Sequence, residues 1–193
     1  MLAYVFWHRP HADTDRKDYE QWLLHFQAEL ARDRPPGFIA AASFRIDAVP
    51  WLGDQPGYED WYIVQGSWAL DPLNGFAVAG HAKAPHDSAA AQMDQGHGGL
   101  FAHALGDSVS SDRSSVYWLT RPRGIQWQPP LDAVRARCPE ANVWRRQMVL
   151  GASAEFAVEV PNDTEIEVPP GWQARRIKRW RLSGAPHTTN RGG

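Results

Sequence analysis

The clearest pattern in the chain is the run Phe-Ile-Ala-Ala-Ala-Ser-Phe-Arg-Ile-Asp at residues 38–47. Phe38, Ala40, Ala42, Phe44 and Ile46 share one parity, and Ile39, Ala41, Ser43, Arg45 and Asp47 share the other. Successive strand side chains point to opposite faces, so this run predicts a strand with one apolar face and one mixed face. Upstream, Tyr19, Trp22, Leu23, Phe26 and Leu30 fall at helical spacing and predict one apolar stripe on a helix. Thr14 or Asp15 is placed to cap that helix, Asp18 lies in its first turn, and Pro35-Pro36-Gly37 stops it. Residues 2–9 and 58–66 are rich in β-branched and aromatic residues and read as strands.

Residues 71–79 and 88–93 read as short helices, the second capped by Asp87 or Ser88. Gly96, Gly98 and Gly99 break the pattern, leaving 100–105 as a short strand. The polar run 106–115 reads as a linker. Beyond it come a strand at 116–121, a helix at 129–137, strands at 142–150 and 154–160, and a last strand at 173–182. An acidic, proline-containing loop at 161–171 stands where a second helix is expected, and 184–193 reads as a disordered tail. The expected organisation is a β-α-β-β-α-β unit over 1–105, the linker, and a shortened second unit over 116–183.

The two halves open on similar phrases. Tyr4-Val5-Phe6-Trp7-His8-Arg9-Pro10 begins the first, and Val116-Tyr117-Trp118-Leu119-Thr120-Arg121-Pro122 begins the second. Both are aromatic, β-branched runs closed by Arg-Pro, which suggests one unit used twice. This order of elements resembles the dimeric α/β-barrel superfamily in tandem form. The resemblance implies an α+β fold in which two ferredoxin-like units pack their antiparallel sheets as a barrel-like core. The superfamily includes cofactor-independent monooxygenases, isomerases, cyclases, haem-binding enzymes and proteins without known activity, so fold alone does not assign a reaction.

Composition narrows the classes. The formal charge of −2 argues against a general nucleic-acid binder. No apolar run approaches the length of a membrane span, and the N-terminus carries no secretory signal pattern. A single cysteine, Cys138, excludes an internal disulfide framework and fits a reducing, cytoplasmic setting. Cys138 beside Arg137 has no identifiable base, so it reads as structural. The ten tryptophans fit either an aromatic core or a pocket for a flat ligand.

Parity supplies candidate site residues. If the apolar face of 38–46 packs on helices, then Ser43 and Arg45 face the barrel interior, along with Tyr58, Asp60 and Tyr62, and Tyr4, Phe6 and His8. The expected catalytic set is His8 as proton carrier, Arg45 as anion holder, Asp60 to orient the histidine and Tyr62 as donor to an oxyanion. Tyr4, Phe6, Ser43, Trp51, Tyr58 and Trp118 are the expected substrate contacts. The blander alternative leaves His8 exposed and pairs Arg45 with Asp60 across strands.

His81 with His86-Asp87 lacks an established metal-ligand pattern, so no metal is expected. The expected cofactor is none, with haem on His86 or His8 as the alternative. The basic run Arg175–Arg181 reads as a protected edge strand rather than a polyanion site. These readings combine into a small-molecule enzyme doing acid–base chemistry on a hydrophobic or aromatic carbonyl compound, of isomerase, cyclase or monooxygenase type. A non-catalytic ligand-binding or interaction module is the other alternative. The expected partner is a small-molecule ligand, with no nucleic acid and no membrane, and an exposed sheet face leaves homo-oligomers open.

Overall fold

The computed structural model describes residues 1–106, 115–148, 153–161 and 164–183. The first half runs β1 (Leu2–Pro10), α1 (Arg16–Asp33), β2 (Phe38–Val49), β3 (Gln55–Val64), α2 (Leu70–Ala77), α3 (Lys83–Ala91) and β4 (Met93–Leu105). The second runs β5 (Ser115–Thr120), α4 (Gln128–Arg137), β6 (Asn142–Arg146), β7 (Phe156–Val160) and β8 (Gln173–Arg181). Most of the expected linker and all of the expected tail lie outside the described residues.

The strands form a closed antiparallel barrel in the order β1-β3-β2-β8-β5-β7-β6-β4. Within it the first half contributes β4-β1-β3-β2 and the second β8-β5-β7-β6. Counted from its own first strand, each half has the same order, 4-1-3-2. The halves join where the second strand of one pairs with the fourth strand of the other, at β2–β8 and at β6–β4. This is the expected α+β architecture of two tandem ferredoxin-like units. The repeated opening phrases are one residue out of phase: Trp7 and Trp118 both lie in the central core, yet Trp7 stands two residues before Arg9 and Trp118 three before Arg121.

The barrel interior holds the face that the parity reading assigned to the helices. Ala42, Phe44 and Ile46 of β2 pack there with Val5, Trp7, Trp61, Trp118 and Trp144. Phe38 belongs to a different cluster, against α1 and α2, because the strand register shifts between Phe38 and Ala40 and reverses the parity. The uniformly apolar face goes inside because that space has no solvent to satisfy polar groups. Indole rings meet edge-on through it, Trp7 to Trp118 at 5.0 Å and Trp61 to Trp144 at 5.6 Å between centroids.

Indole N–H groups need acceptors when buried. Trp7 donates to Glu59 Oε2 at 2.8 Å, Trp61 to Glu59 Oε1 at 2.7 Å, and Trp144 to Glu159 Oε2 at 2.7 Å. Arg179 joins the two carboxylates, donating to Glu59 at 3.0 Å and to Glu159 at 2.8 Å. Its guanidinium lies over the Phe44 ring, 4.4 Å from the centroid. The basic strand is therefore not an edge: β8 is paired on both sides and sends Arg179 into the core.

Outside the barrel, α1, α2 and α3 cover the first sheet, with Phe26, Leu30 and Leu73 against Leu2, Tyr62 and Val64. Asp15 caps α1, accepting from the backbone N–H of Lys17 and Asp18. Asp87 and Ser88 lie inside α3 and do not cap it. β4 extends through the glycines to Met93 because rings from β1 occupy the space their side chains would take. A Cβ at Gly98 would sit 2.8 Å from the Tyr4 ring, and one at Gly96 2.7 Å from the Phe6 ring. Over the second sheet, α4 and the segment before β8 seal the surface with Leu131, Val134, Ile166, Val168 and Trp172. Among the described residues no helix is long and apolar enough to cross a membrane.

Removing the shared cation leaves two buried carboxylates without their guanidinium. Arg179→Met is expected to lose about 3–5 kcal/mol of stability in urea unfolding, the cost of breaking a buried ion pair from one side. A variant within about 1 kcal/mol of the parent would show that the bridge is not needed to hold the barrel.

Candidate active site

The mixed parity of β1, β2 and β3 faces outward, under α1, α2 and α3. The expected interior residues are therefore still neighbours, on the other side of the sheet. Pairing places Asp60 opposite Phe6 on one side and Ser43 on the other, and His8 opposite Tyr58. His8 and Asp60 thus meet diagonally across adjacent strands. His8 Nε2 lies 3.1 Å from Asp60 Oδ2, with the two residues 1% and 2% exposed.

Asp60 also accepts from Tyr62 Oη at 3.1 Å and from Ser43 Oγ, to which Gln27 of α1 donates. Three donors on one side chain match an acceptor-only carboxylate. That network assigns the proton of neutral His8 to Nε2. Nδ1 is then an acceptor, and Tyr19 Oη of α1 lies 2.6 Å from it. The result is a hydrogen-bonded line, Tyr19 to His8 to Asp60, running from helix to sheet. Tyr58 stacks on His8 at 5.5 Å and donates to Glu20 at 3.0 Å.

Above this line is a cavity of about 590 Å³ between the sheet and the three helices. Tyr4, Phe6, His8, Tyr19, Asp60 and Tyr62 form its polar and aromatic wall. Leu23 and Phe26 of α1, Leu73 of α2, and Ala89 and Ala90 of α3 supply most of the apolar remainder, and His86 lines it from α3. Tyr4 is the wall hydroxyl without a hydrogen-bond partner among the described residues, so it is available to a ligand.

Burial raises the ionisation of Tyr19, Tyr62 and Tyr4 above the usual phenol range, and the charge of Asp60 adds to it. Burial and then Glu20 do the same for Tyr58. Burial alone would push Glu20 up, but hydrogen bonds from Arg45, Arg16 and Tyr58 outweigh it and hold its carboxyl below the usual range.

Several expected site residues lie elsewhere. Arg45 is on the outer face but not at the cavity; it grips Glu20 of α1 at 2.5 and 2.6 Å with its side chain 42% exposed. It therefore pairs with Glu20 rather than Asp60 and does not line the cavity. Trp51 and Trp118 belong to the barrel core, 5.7 Å apart. Ser43 and Tyr58 support Asp60 and His8 from behind and do not line the cavity. Tyr62 spends its hydroxyl on Asp60. Tyr19 was missed because its position in the α1 stripe reads as core; its hydroxyl within that otherwise apolar stripe was the available signal.

Neither a family model nor a curated protein sequence matches the chain. Solved structures do. A "putative monooxygenase" from Fusobacterium nucleatum subsp. nucleatum superposes with a TM-score of 0.65 at 9% identity, covering 94% of this chain and 92% of that one. A "putative monooxygenase" from Lactobacillus acidophilus NCFM gives a TM-score of 0.57 at 8% identity, covering 92% and 93%. The fold is the dimeric α/β barrel. In this chain both units of the dimeric α/β barrel are carried by one polypeptide.

The expectation of no cofactor is corrected. The matched structures include a "putative chlorite dismutase", at a TM-score of 0.46, 9% identity and 83% and 80% coverage. The alternative placement of haem on His8 also fails, because both its ring nitrogens are engaged and it is buried. His86 is placed better: Nδ1 lies 3.2 Å from Asp87 and Nε2 has no partner among the described residues. Among the described residues no lysine or arginine lines the cavity to meet haem propionates. The residues present fit an iron ligand but not the macrocycle's carboxylates, so the pocket does not fit the group as a whole. Among the described residues no three His, Cys, Asp or Glu side chains cluster as a metal site.

The raised tyrosine ionisations set an alkaline limit on stability. The unfolded chain's phenols ionise near the ordinary value of 10.0, while these four ionise higher in the folded state. Their contribution is whole below pH 10 and is lost as pH rises through the folded-state values. Alkaline titration should show their phenolate absorbance appearing together with loss of circular dichroism. Four tyrosines ionising near pH 10 in a still-folded protein would contradict the burial of this cluster.

Proposed function

We propose that the chain is an enzyme of monooxygenase type that removes a proton from a flat, largely apolar substrate at the Tyr19–His8–Asp60 line. The observation that carries this reading is the 2.6 Å contact between Tyr19 Oη and His8 Nδ1, with Asp60 on the far nitrogen and the cavity in front.

Both nitrogens of His8 are occupied, so Tyr19 is the member that meets the substrate. Its phenol is too weak an acid in this setting to wait as a phenolate. As Tyr19 takes the substrate proton it passes its own to His8 Nδ1. Asp60, held by Tyr62 and Ser43, then faces an imidazolium and stabilises it. The Tyr4 hydroxyl is free to donate to the enolate or phenolate oxygen that forms as the proton leaves. An uncharged aromatic substrate suits walls of Leu, Phe and Ala with no lysine or arginine among the described residues. Substrate carbanions of this kind are electron-rich and react with dioxygen, which matches the monooxygenase-type neighbours. The same first step serves an isomerase or cyclase, but no observation favours those over oxidation.

His8→Ala and Tyr19→Phe should each lower turnover by about 10²–10⁴-fold, the usual contribution of a positioned proton-transfer group. Turnover of a hydroxylated polycyclic aromatic measures the loss, with circular dichroism confirming the fold. Folded variants that retain full turnover would refute the assignment.

A further inference from the structure

We propose that His86 is the pocket's second proton-transfer group, the acid that converts the departing peroxide oxygen to water. This rests on the reading of the site as one that oxidises an acidified substrate carbon.

Oxidation of a CH2 group to a carbonyl by dioxygen requires two proton removals from carbon and two proton deliveries to oxygen, one to the peroxide anion and one to the leaving hydroxide. In the first stage the Tyr19–His8–Asp60 line takes one proton, and the carbanion's electron pair forms a C–O bond to dioxygen. The line returns its proton to the peroxide anion, giving a hydroperoxide and a restored base. In the second stage the line takes the remaining C–H proton. The electrons of that bond form C=O, the O–O bond breaks, and hydroxide leaves. The balance is CH2 plus O2 giving C=O plus H2O, with carbon oxidised and dioxygen reduced; the line releases its second proton to solvent and the acid takes one up, so both groups return to their starting states. While the line acts as base, the leaving hydroxide needs a proton from another point of the cavity.

His86 occupies such a point. It lines the same cavity from α3, whereas His8 does so from β1. Phe26 separates it from the sheet site, with ring centroids 5.7 Å from His86 and 6.1 Å from Tyr62. Asp87 lies on Nδ1 at 3.2 Å and is itself held by Lys83, an arrangement that fixes the ring and leaves Nε2 for a ligand. The His86 side chain is 36% exposed, so it is reprotonated from bulk water more directly than the buried His8.

Anthrone is a suitable probe: flat, uncharged and acidic at its CH2 group. Two rates are measured with wild type and His86→Gln: exchange of the CH2 protons for deuterium without oxygen, and conversion to anthraquinone with oxygen. His86→Gln should lower conversion by about 100-fold, at least ten times more than it lowers exchange, with the hydroperoxide accumulating. Exchange and conversion falling together, or neither falling, would overturn the role of His86. Absence of exchange in the wild type would instead refute the Tyr19–His8 reading. A Soret band acquired on adding haem and lost in His86→Ala would reassign His86 to iron and also overturn the proposal.

Discussion

Arg179 holding Glu59 and Glu159 inside the barrel is the interaction on which the rest of the structure depends. Two carboxylates placed in a tryptophan core would be untenable without a cation between them. With it, one carboxylate accepts from Trp7 and Trp61 and the other from Trp144, so three of the buried indole N–H groups have acceptors. β8 comes from the second half and β3 from the first, so the bridge also ties the two units together. A barrel filled in this way is a packed core. The described cavity lies on its outer surface, beneath the helices.

The outer surface is not equivalent in the two halves. Over the first sheet three helices leave a cavity above His8 and Asp60, and β4 uses glycine where the Tyr4 and Phe6 rings must lie flat. Over the second sheet one helix and an irregular segment press Trp172 and Phe156 together and seal the corresponding region. The chain therefore has two units of the same strand order, of which the first carries the described cavity. The Glu20–Arg45 and Glu20–Tyr58 contacts fasten α1 to the sheet beside His8, and α1 in turn presents Tyr19. Fold stability and site geometry thus share the same helix–sheet seam.

Much of this was legible in the sequence because its signals are local. The cap at Asp15, the stripe from Tyr19 to Leu30 and the Pro-Pro-Gly stop define α1 almost to the residue. The order of elements gave the tandem architecture. What was not legible was which face of the sheet looks inward, because alternation sorts residues into two groups without labelling them. The apolar group of β2 suits a helix or a sealed barrel equally well, and Trp7, Trp61, Trp118 and Trp144 show which it was. His8, Asp60 and Tyr62 still came out as neighbours, since residues of one parity stay together whichever side they take. Arg45 was misjudged because its partner, Glu20, sits on a helix, where strand parity has nothing to say. The buried role of Arg179 was hidden in a run of basic residues that looked alike.

The claim that the ligand site lies on the helix side of the sheet has a direct test. Intermolecular nuclear Overhauser effects are measured between a bound flat aromatic such as anthraquinone and assigned side chains. The account predicts contacts to Tyr4, Phe26 and His8 and none to Trp7, Trp61 or Trp118. Contacts to those tryptophans, with none to Phe26 or His8, would place the ligand within the barrel and contradict it.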